Sequence, residues 1–309
     1  MALRWNRSFF SLVICFSVWL MLSATGAASD TAHSTIDFGH AKPQTAKPAG
    51  QTKPAAKAAQ SSSQNAVGKA AAAGPLIKVG LFQTRQPLSL MAKGSLLVRD
   101  GVSGREVQKL AAGDTVQVQV QNGKILLNKK SLAASLLEFS AASAKDNENV
   151  LLNVDGKPYR GRLLLKLSGD KLSVINELSI DAYLYGVVPE EMPSAWPTEA
   201  LKAQTVAART FAVFHRGRHV RDGYDVCADT HCQVYGGAAA EKPASTAAVD
   251  ATRGMVLYSS GKPIDAFFHT DSGGMTENSE DVWGTYYPYL RAVREDTMKT
   301  SPWQVKYTV

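Results

Sequence analysis

The chain has 309 residues, enough for one large folded domain or two smaller ones with tails. Hydrophobic residues make up 45 % and charged residues 20 %, a globular balance that excludes a wholly disordered chain. The formal net charge of +7 suits an anionic partner such as wall polymer, membrane surface or nucleic acid, but ordinary solubility accounts for it equally well.

Arg4 and Arg7 precede an apolar run over residues 9–22, and the small residues Ala24, Gly26, Ala27 and Ala28 follow. This order predicts a secretory signal over residues 1–28. The apolar run is short for a membrane span, and an uncleaved anchor is the alternative. Cys15 lies inside the run with more apolar residues after it, which argues against a lipoprotein cysteine. Cleavage near Ala27 or Ala28 leaves Cys227 and Cys232 as the cysteines of the mature chain. Residues 29–74 are Ala, Pro, Lys, Gln and Ser with recurring Lys-Pro pairs, and they cannot bury enough apolar surface to offset their ordering entropy. A disordered linker is expected there.

Residues 75–158 read as a β-rich region. Residues 77–82 form one strand pattern. Residues 115–121 alternate strictly and reach Asn122-Gly123, the pair that tolerates a tight hairpin turn, before residues 124–127. Residues 162–167 and 172–175 flank Ser168-Gly169-Asp170 and predict a second hairpin. Next comes Tyr183-Leu-Tyr-Gly-Val-Val-Pro-Glu-Glu-Met-Pro193, read as an apolar strand ending in two carboxylates between two prolines. Such a corner could hold and desolvate a general acid, with Val187, Val188, Met192 and Trp196 as apolar walls. In extended chain the two glutamates point to opposite sides, so only one would reach a cleft; capping of the next helix is the plainer alternative.

A helix is expected over about 197–215, with Pro197 at its first position. Helical spacing puts Ala200, Ala203, Ala207, Phe211 and Phe214 on the core side. Lys202, Thr205, Val206, Arg209 and Val213 fall on the other side, which is expected to line a cleft. His219, Cys227, His231 and Cys232 follow. Their residue types suit a tetrahedral zinc site, while a disulfide between the two cysteines or two free thiols remain alternatives. Thr246 to Thr252 suggests a short helix. Residues 255–258 and 264–268 read as paired strands, and His269-Thr-Asp-Ser-Gly-Gly-Met-Thr-Glu277 as a ligand-approach loop or a plain turn. Trp283-Gly-Thr-Tyr-Tyr-Pro-Tyr289 supplies rings that stack on sugars or pack a core. Residues 303–309 again look like a strand, so the chain is expected to lack its last elements or to be a fragment.

Taken together, Tyr159-Arg-Gly161, the segment at 182–193, Glu199-Ala-Leu-Lys-Ala-Gln-Thr-Val-Ala-Ala-Arg-Thr210, His231-Cys-Gln-Val-Tyr235 and Ser272-Gly-Gly-Met-Thr276 resemble the stage II sporulation protein D and amidase-enhancer (SpoIID/LytB) family. The resemblance covers residues 159–309 and implies an α+β catalytic domain behind the β-rich region, with a cleft between the parts. It implies an exported peptidoglycan lytic transglycosylase that cuts MurNAc–GlcNAc bonds, or a non-catalytic amidase enhancer. Glu191 is then the acid. Lys202, Gln204, Arg209, Tyr235, Ser272 and Gly273 are implied substrate contacts, with Lys202 or Arg209 facing the lactyl carboxylate. Zinc is implied at Cys227, His231 and Cys232, with His219 as fourth ligand. Peptidoglycan strands and a wall amidase are the implied partners, nucleic acid is not, and a membrane enters only if residues 1–28 stay attached.

Overall fold

The computed structural model describes residues 74–295. The expected signal, linker and last strand lie outside the described residues. Twelve strands come first: β1 (Leu76–Thr84), β2 (Leu88–Ala92), β3 (Leu96–Asp100), β4 (Glu106–Leu110), β5 (Thr115–Gln121), β6 (Lys124–Leu127), β7 (Lys130–Leu132), β8 (Leu136–Ala141), β9 (Leu152–Val154), β10 (Lys157–Tyr159), β11 (Arg162–Ser168) and β12 (Lys171–Ser179). Helices α1 (Ile180–Glu191) and α2 (Thr198–Phe214) follow, then β13 (Val226–Cys227), α3 (Pro243–Ala251), β14 (Tyr258–Ser259), β15 (Lys262–Pro263) and α4 (Ser279–Trp283). The architecture is α+β, with strands early and helices late.

The strands form a seven-stranded sheet in the order β13-β1-β12-β11-β8-β3-β4 and a six-stranded sheet in the order β10-β9-β2-β5-β6-β7. Both predicted hairpins are present: β5 turns into β6 through Asn122 (φ 49°) and Gly123 (φ 69°), and β11 pairs antiparallel with β12. In β5 the alternation is realised as Val116 and Val118 inside, with Thr115 and Gln117 outside. Strands from both sides of residue 158 share the larger sheet, because β1 pairs with β12 and β8 with β11. The β-rich region and the expected catalytic domain are therefore joined through one sheet.

Residues 180–191 are a helix, not the expected strand. The Ala182 N–H donates to the side chain of Ser179 at 3.1 Å, which caps the helix as β12 ends. Ile180, Tyr183, Leu184, Val187 and Val188 are all buried, the spacing of a helical stripe. Pro189 sits inside the last turn. Glu191 thus ends a helix rather than a strand, and the short connector 192–197 leads into α2, so the two helices run antiparallel. Pro197 is the cap of α2 rather than its first residue. The strand pair expected at 255–268 shrinks to β14 and β15, turning through Ser260 (φ 49°) and Gly261 (φ 75°). Pro263 has no N–H to extend that ladder. The short helix expected near 246–252 is α3.

Candidate functional site

Helix α2 buries a different face from the one its sequence suggests. Leu201, Gln204, Thr205, Ala208, Arg209, Thr210 and Ala212 are buried, while Ala203 and Phe214 are exposed. The polar residues can go inside because partners wait there. The Thr205 and Thr210 hydroxyls donate to the Leu201 and Val206 carbonyls one turn back, at 2.7 and 2.6 Å. Arg209, only 3 % exposed, donates through Nη2 to Asp181 of α1 at 2.9 Å and through Nε to the same oxygen at 3.1 Å. It also reaches the Val249 and Met255 carbonyls. Arg209 is therefore an internal brace between helices, not a residue of an open cleft wall.

Glu191 stands half-buried at the end of α1. Burial raises its carboxyl above the ordinary glutamate value; the neighbouring Glu190 adds to this, and the Val234 backbone amide opposes it. A group held in this way keeps its proton nearer to neutrality, as a general acid requires.

The amide facing Glu191 belongs to a strap at 226–237 that runs past α1 and α2. The strap is held by several of its residues. The Ala228 N–H donates to the Gly80 carbonyl of β1 at 3.0 Å. Gln233, 2 % exposed, accepts from the Tyr183 hydroxyl of α1 at 3.3 Å and donates to the Ala208 carbonyl of α2 at 3.4 Å. The Gly236 N–H donates to the Gly186 carbonyl at 3.0 Å. That approach depends on Gly186, because a Cβ there would lie 2.7 Å from the Tyr235 ring. Tyr235 itself is buried, and its hydroxyl donates to Asn176 Oδ1 of β12 at 2.8 Å. The expectation that Tyr235 meets substrate is corrected accordingly: its ring packs against Tyr159 and Tyr183, and its hydroxyl is already used.

The strap also gathers the donor set read from the sequence. One ligand atom each from His219, Cys227, His231 and Cys232 lies within 4.8 Å of all the others. Cys232 Sγ is 3.4 Å from His219 Nε2 and 3.6 Å from His231 Nδ1, and Cys227 Sγ is 3.5 Å from that same nitrogen. Both cysteines are unbridged. Burial, followed by the hydrogen bond to Asp229, pushes the Cys227 thiol up to about 12. Asp229 also accepts from the His231 N–H at 2.9 Å and so shapes the turn between the ligands.

The remaining expected contacts take no part in the hydrogen bonds described so far. Lys202 is half-buried and pairs with Glu199 at 2.8 Å. Gln204 is 8 % exposed, and its Nε2 has no hydrogen-bond partner. The Ser272 hydroxyl donates to Glu295 at 2.7 Å, and Gly273 (φ 70°) forms the turn beside it, its N–H donating to Asp271 at 2.7 Å. Sequence reasoning missed the structural roles of Gln233, Tyr183 and Asn176, whose partners are remote in sequence. It also missed His215, whose Nε2 meets Asp265 Oδ1 at 3.0 Å and whose basicity burial lowers although Asp265 opposes this.

Residues 168–258 match the family model described as "Stage II sporulation protein". That span contains Glu191, the strap and all four donors, but not Ser272 or Gly273. An uncharacterized protein of Brachyspira hyodysenteriae is 32 % identical over 219 residues, covering 71 % of this chain and 58 % of its own length. The "Amidase enhancer" of Bacillus subtilis is 36 % identical over 188 residues, 60 % of this chain and 25 % of that protein. "Stage II sporulation protein D" of Bacillus amyloliquefaciens is 36 % identical over 143 residues, 41 % of this chain and 42 % of its own. The chain thus spans less than two thirds of each of these relatives.

Proposed function

Because the chain belongs to the SpoIID/LytB family, with a function related to the cell wall, we propose that it is a peptidoglycan lytic transglycosylase with Glu191 as acid and base. One observation carries this reading: a half-buried carboxyl whose proton affinity burial raises, set at the end of a helix beside the strap. The protonated Glu191 gives its proton to the oxygen linking muramic acid C1 to the next sugar, and the C1–O bond breaks. The C6 hydroxyl of the same muramic acid closes on C1, and its proton passes to the Glu191 carboxylate. The products are a free sugar hydroxyl and a 1,6-anhydro end, and the acid is restored without a second carboxylate. Lys202 suits the lactyl carboxylate, because its exposed pairing with Glu199 is weak and easily exchanged. An exported location, as residues 1–28 suggest, belongs to the same reading.

The four donors fit zinc. A tetrahedron with Zn–S near 2.3 Å and Zn–N near 2.0 Å has S···N edges of about 3.5 Å; three S···N spacings here are 3.4 to 3.6 Å, and all four ligand atoms lie within 4.8 Å of one another. Two thiolates and two imidazoles, Cys227, Cys232, His219 and His231, would fill all four positions. Such a closed site supplies structural cross-linking of the strap rather than an activated water. Elemental analysis with thiol counting is expected to give one zinc per chain and two thiols that react only once a chelator is added.

Digestion of peptide-free glycan tests the activity. Wild type is expected to release 1,6-anhydromuramyl ends by mass spectrometry, and Glu191→Gln to lose about 10²–10⁴-fold in rate with its fold intact. A second reading, a non-catalytic module that stimulates a partner amidase, draws on the name of the Bacillus subtilis relative. Wild type that releases no such ends but speeds an added amidase would establish that reading instead.

A further inference from the structure

One surface loop carries positive charge that the rest of the chain does not use. Elsewhere Arg85, Arg160, Arg253 and Arg291 are held by Asp170, Glu241, Asp250 and Glu280. Arg216, Arg218 and Arg221, just after α2, are exposed, and their side chains make no ion pair or hydrogen bond among the described residues. Val220 stands among them, 73 % exposed, and Phe214 at the end of α2 is exposed too.

The loop is tied so that these side chains face outward. The Gly217 N–H donates to Asp225 Oδ1 at 3.0 Å, and the His219 N–H to the Asp225 carbonyl at 3.3 Å. The His219 ring stacks on Tyr224 with centroids 5.0 Å apart. With residues 217 and 219 drawn inward, residues 216, 218, 220 and 221 are left outside. The Val220 N–H donates to the Gly217 carbonyl at 3.1 Å and the Gly223 N–H to the His219 carbonyl at 3.2 Å, which closes the loop into tight turns. The acidic groups nearby are partly spent. Asp225 Oδ2 accepts the Lys78 N–H at 2.8 Å, and exposed Asp222, which offsets one of the three charges, leans to His219 Nδ1 at 3.6 Å.

A guanidinium presents a flat fork of donors that matches phosphate oxygens. Three unpaired ones on a single loop suit a surface bearing many phosphates. Val220 decides which surface that is. A dissolved phosphate polymer gains little from a bare valine, whereas a bilayer interface takes up apolar side chains below its headgroups. We propose that residues 215–223 dock this chain on an anionic phospholipid surface. The arginines pair with headgroup phosphates, and Val220 enters the acyl boundary. The contact needs neither residues 1–28 nor the glycan-cleaving reading.

The test is co-sedimentation of the full chain with phosphatidylcholine vesicles, with and without phosphatidylglycerol. Wild type is compared with Val220→Ser and with a triple variant, Arg216→Gln, Arg218→Gln and Arg221→Gln together. Residues 1–28 are the same in all three proteins, so their share of the binding cancels. Wild type is expected to bind the anionic vesicles more tightly than the neutral ones and to lose most of that difference at high salt. The triple variant is expected to lose about a hundredfold on anionic vesicles, about fivefold for each arginine. Val220→Ser is expected to lose about fivefold on the same vesicles. Both variants are expected to melt as wild type does, because the replaced side chains hold no bond. An undiminished preference in the triple variant overturns the proposal, and so does wild type that binds both kinds of vesicle equally. Vesicle binding that Val220→Ser leaves unchanged overturns it too, in favour of a dissolved phosphate polymer, which competition by polyphosphate would register.

Discussion

Residues 226–237 and residues 264–295 are both mostly irregular chain, yet they meet solvent in opposite ways. In the first stretch Cys227, Cys232, Gln233 and Tyr235 are all less than a tenth exposed. Its polar groups bond outward to other elements: Ala228 to β1, Gln233 to both long helices, Gly236 to α1. The second stretch bonds mainly to itself. The Thr276 N–H donates to the Val293 carbonyl, the Ser279 N–H to the Leu290 carbonyl, and Arg291 pairs with Glu280. Its rings are left facing out: Phe267 and Trp283 stack at 4.5 Å between centroids, and Tyr286 is 62 % exposed beneath the Arg291 guanidinium. Irregular backbone can be buried only where each polar group finds a partner. The strap finds many of them in its neighbours, whereas the later stretch finds most of them within itself, although Asp265 meets His215 at the end of α2.

Three variants test this contrast, beginning with the largest effect. Arg209→Met should destabilise the chain by about 3 kcal/mol, since it removes both guanidinium bonds to the buried Asp181 carboxylate and leaves that group only the longer 3.8 Å pairing with Arg253 among the ion pairs described. Urea unfolding measures it; a loss below about 1 kcal/mol would show that the helices need no such brace. Gly186→Ala should cost about 1–3 kcal/mol, because its Cβ would meet the Tyr235 ring at 2.7 Å and the Gly237 carbonyl at 2.8 Å. Gly273→Ala in the later stretch meets open space and should cost only about 1 kcal/mol, from its φ of 70°. Equal costs at the two glycines would erase the distinction between the stretches.

The smallest effect concerns pH. Burial raises the Glu191 carboxyl above its ordinary value, so the fold favours the protonated form. Wild type and Glu191→Gln should therefore be equally stable below the ordinary glutamate range. As pH climbs through that range to the raised value, the folded state increasingly bears a poorly solvated charge and wild type falls behind. The gap is complete above the raised value and should stay under about 4 °C in Tm. Thermal melts from pH 3 to 8 measure it, and a gap that widens toward acid would mean that the carboxylate is stabilised in place instead.

The sequence by itself determined what neighbouring residues decide among themselves. Asn122-Gly123 and Ser168-Gly169-Asp170 specify their hairpins because a turn spans only a few residues. The four sulfur and nitrogen donors could be grouped from the sequence because thiol and imidazole side chains together suit a tetrahedral metal site, with a disulfide or free thiols as the alternatives. Residues 183–193 read as a strand from the sequence, yet the stripe Ile180, Tyr183, Leu184, Val187 and Val188 has helical spacing; a run so rich in apolar residues fits both. Tertiary structure alone decided which face of α2 goes inside, since that depends on Asp181 waiting for Arg209 from 28 residues away. It alone withdrew Tyr235 from the surface, through an Asn176 partner 59 residues distant. A buried polar side chain is placed by the partner that spares it an unpaired group, and that partner is brought near only when the chain has folded.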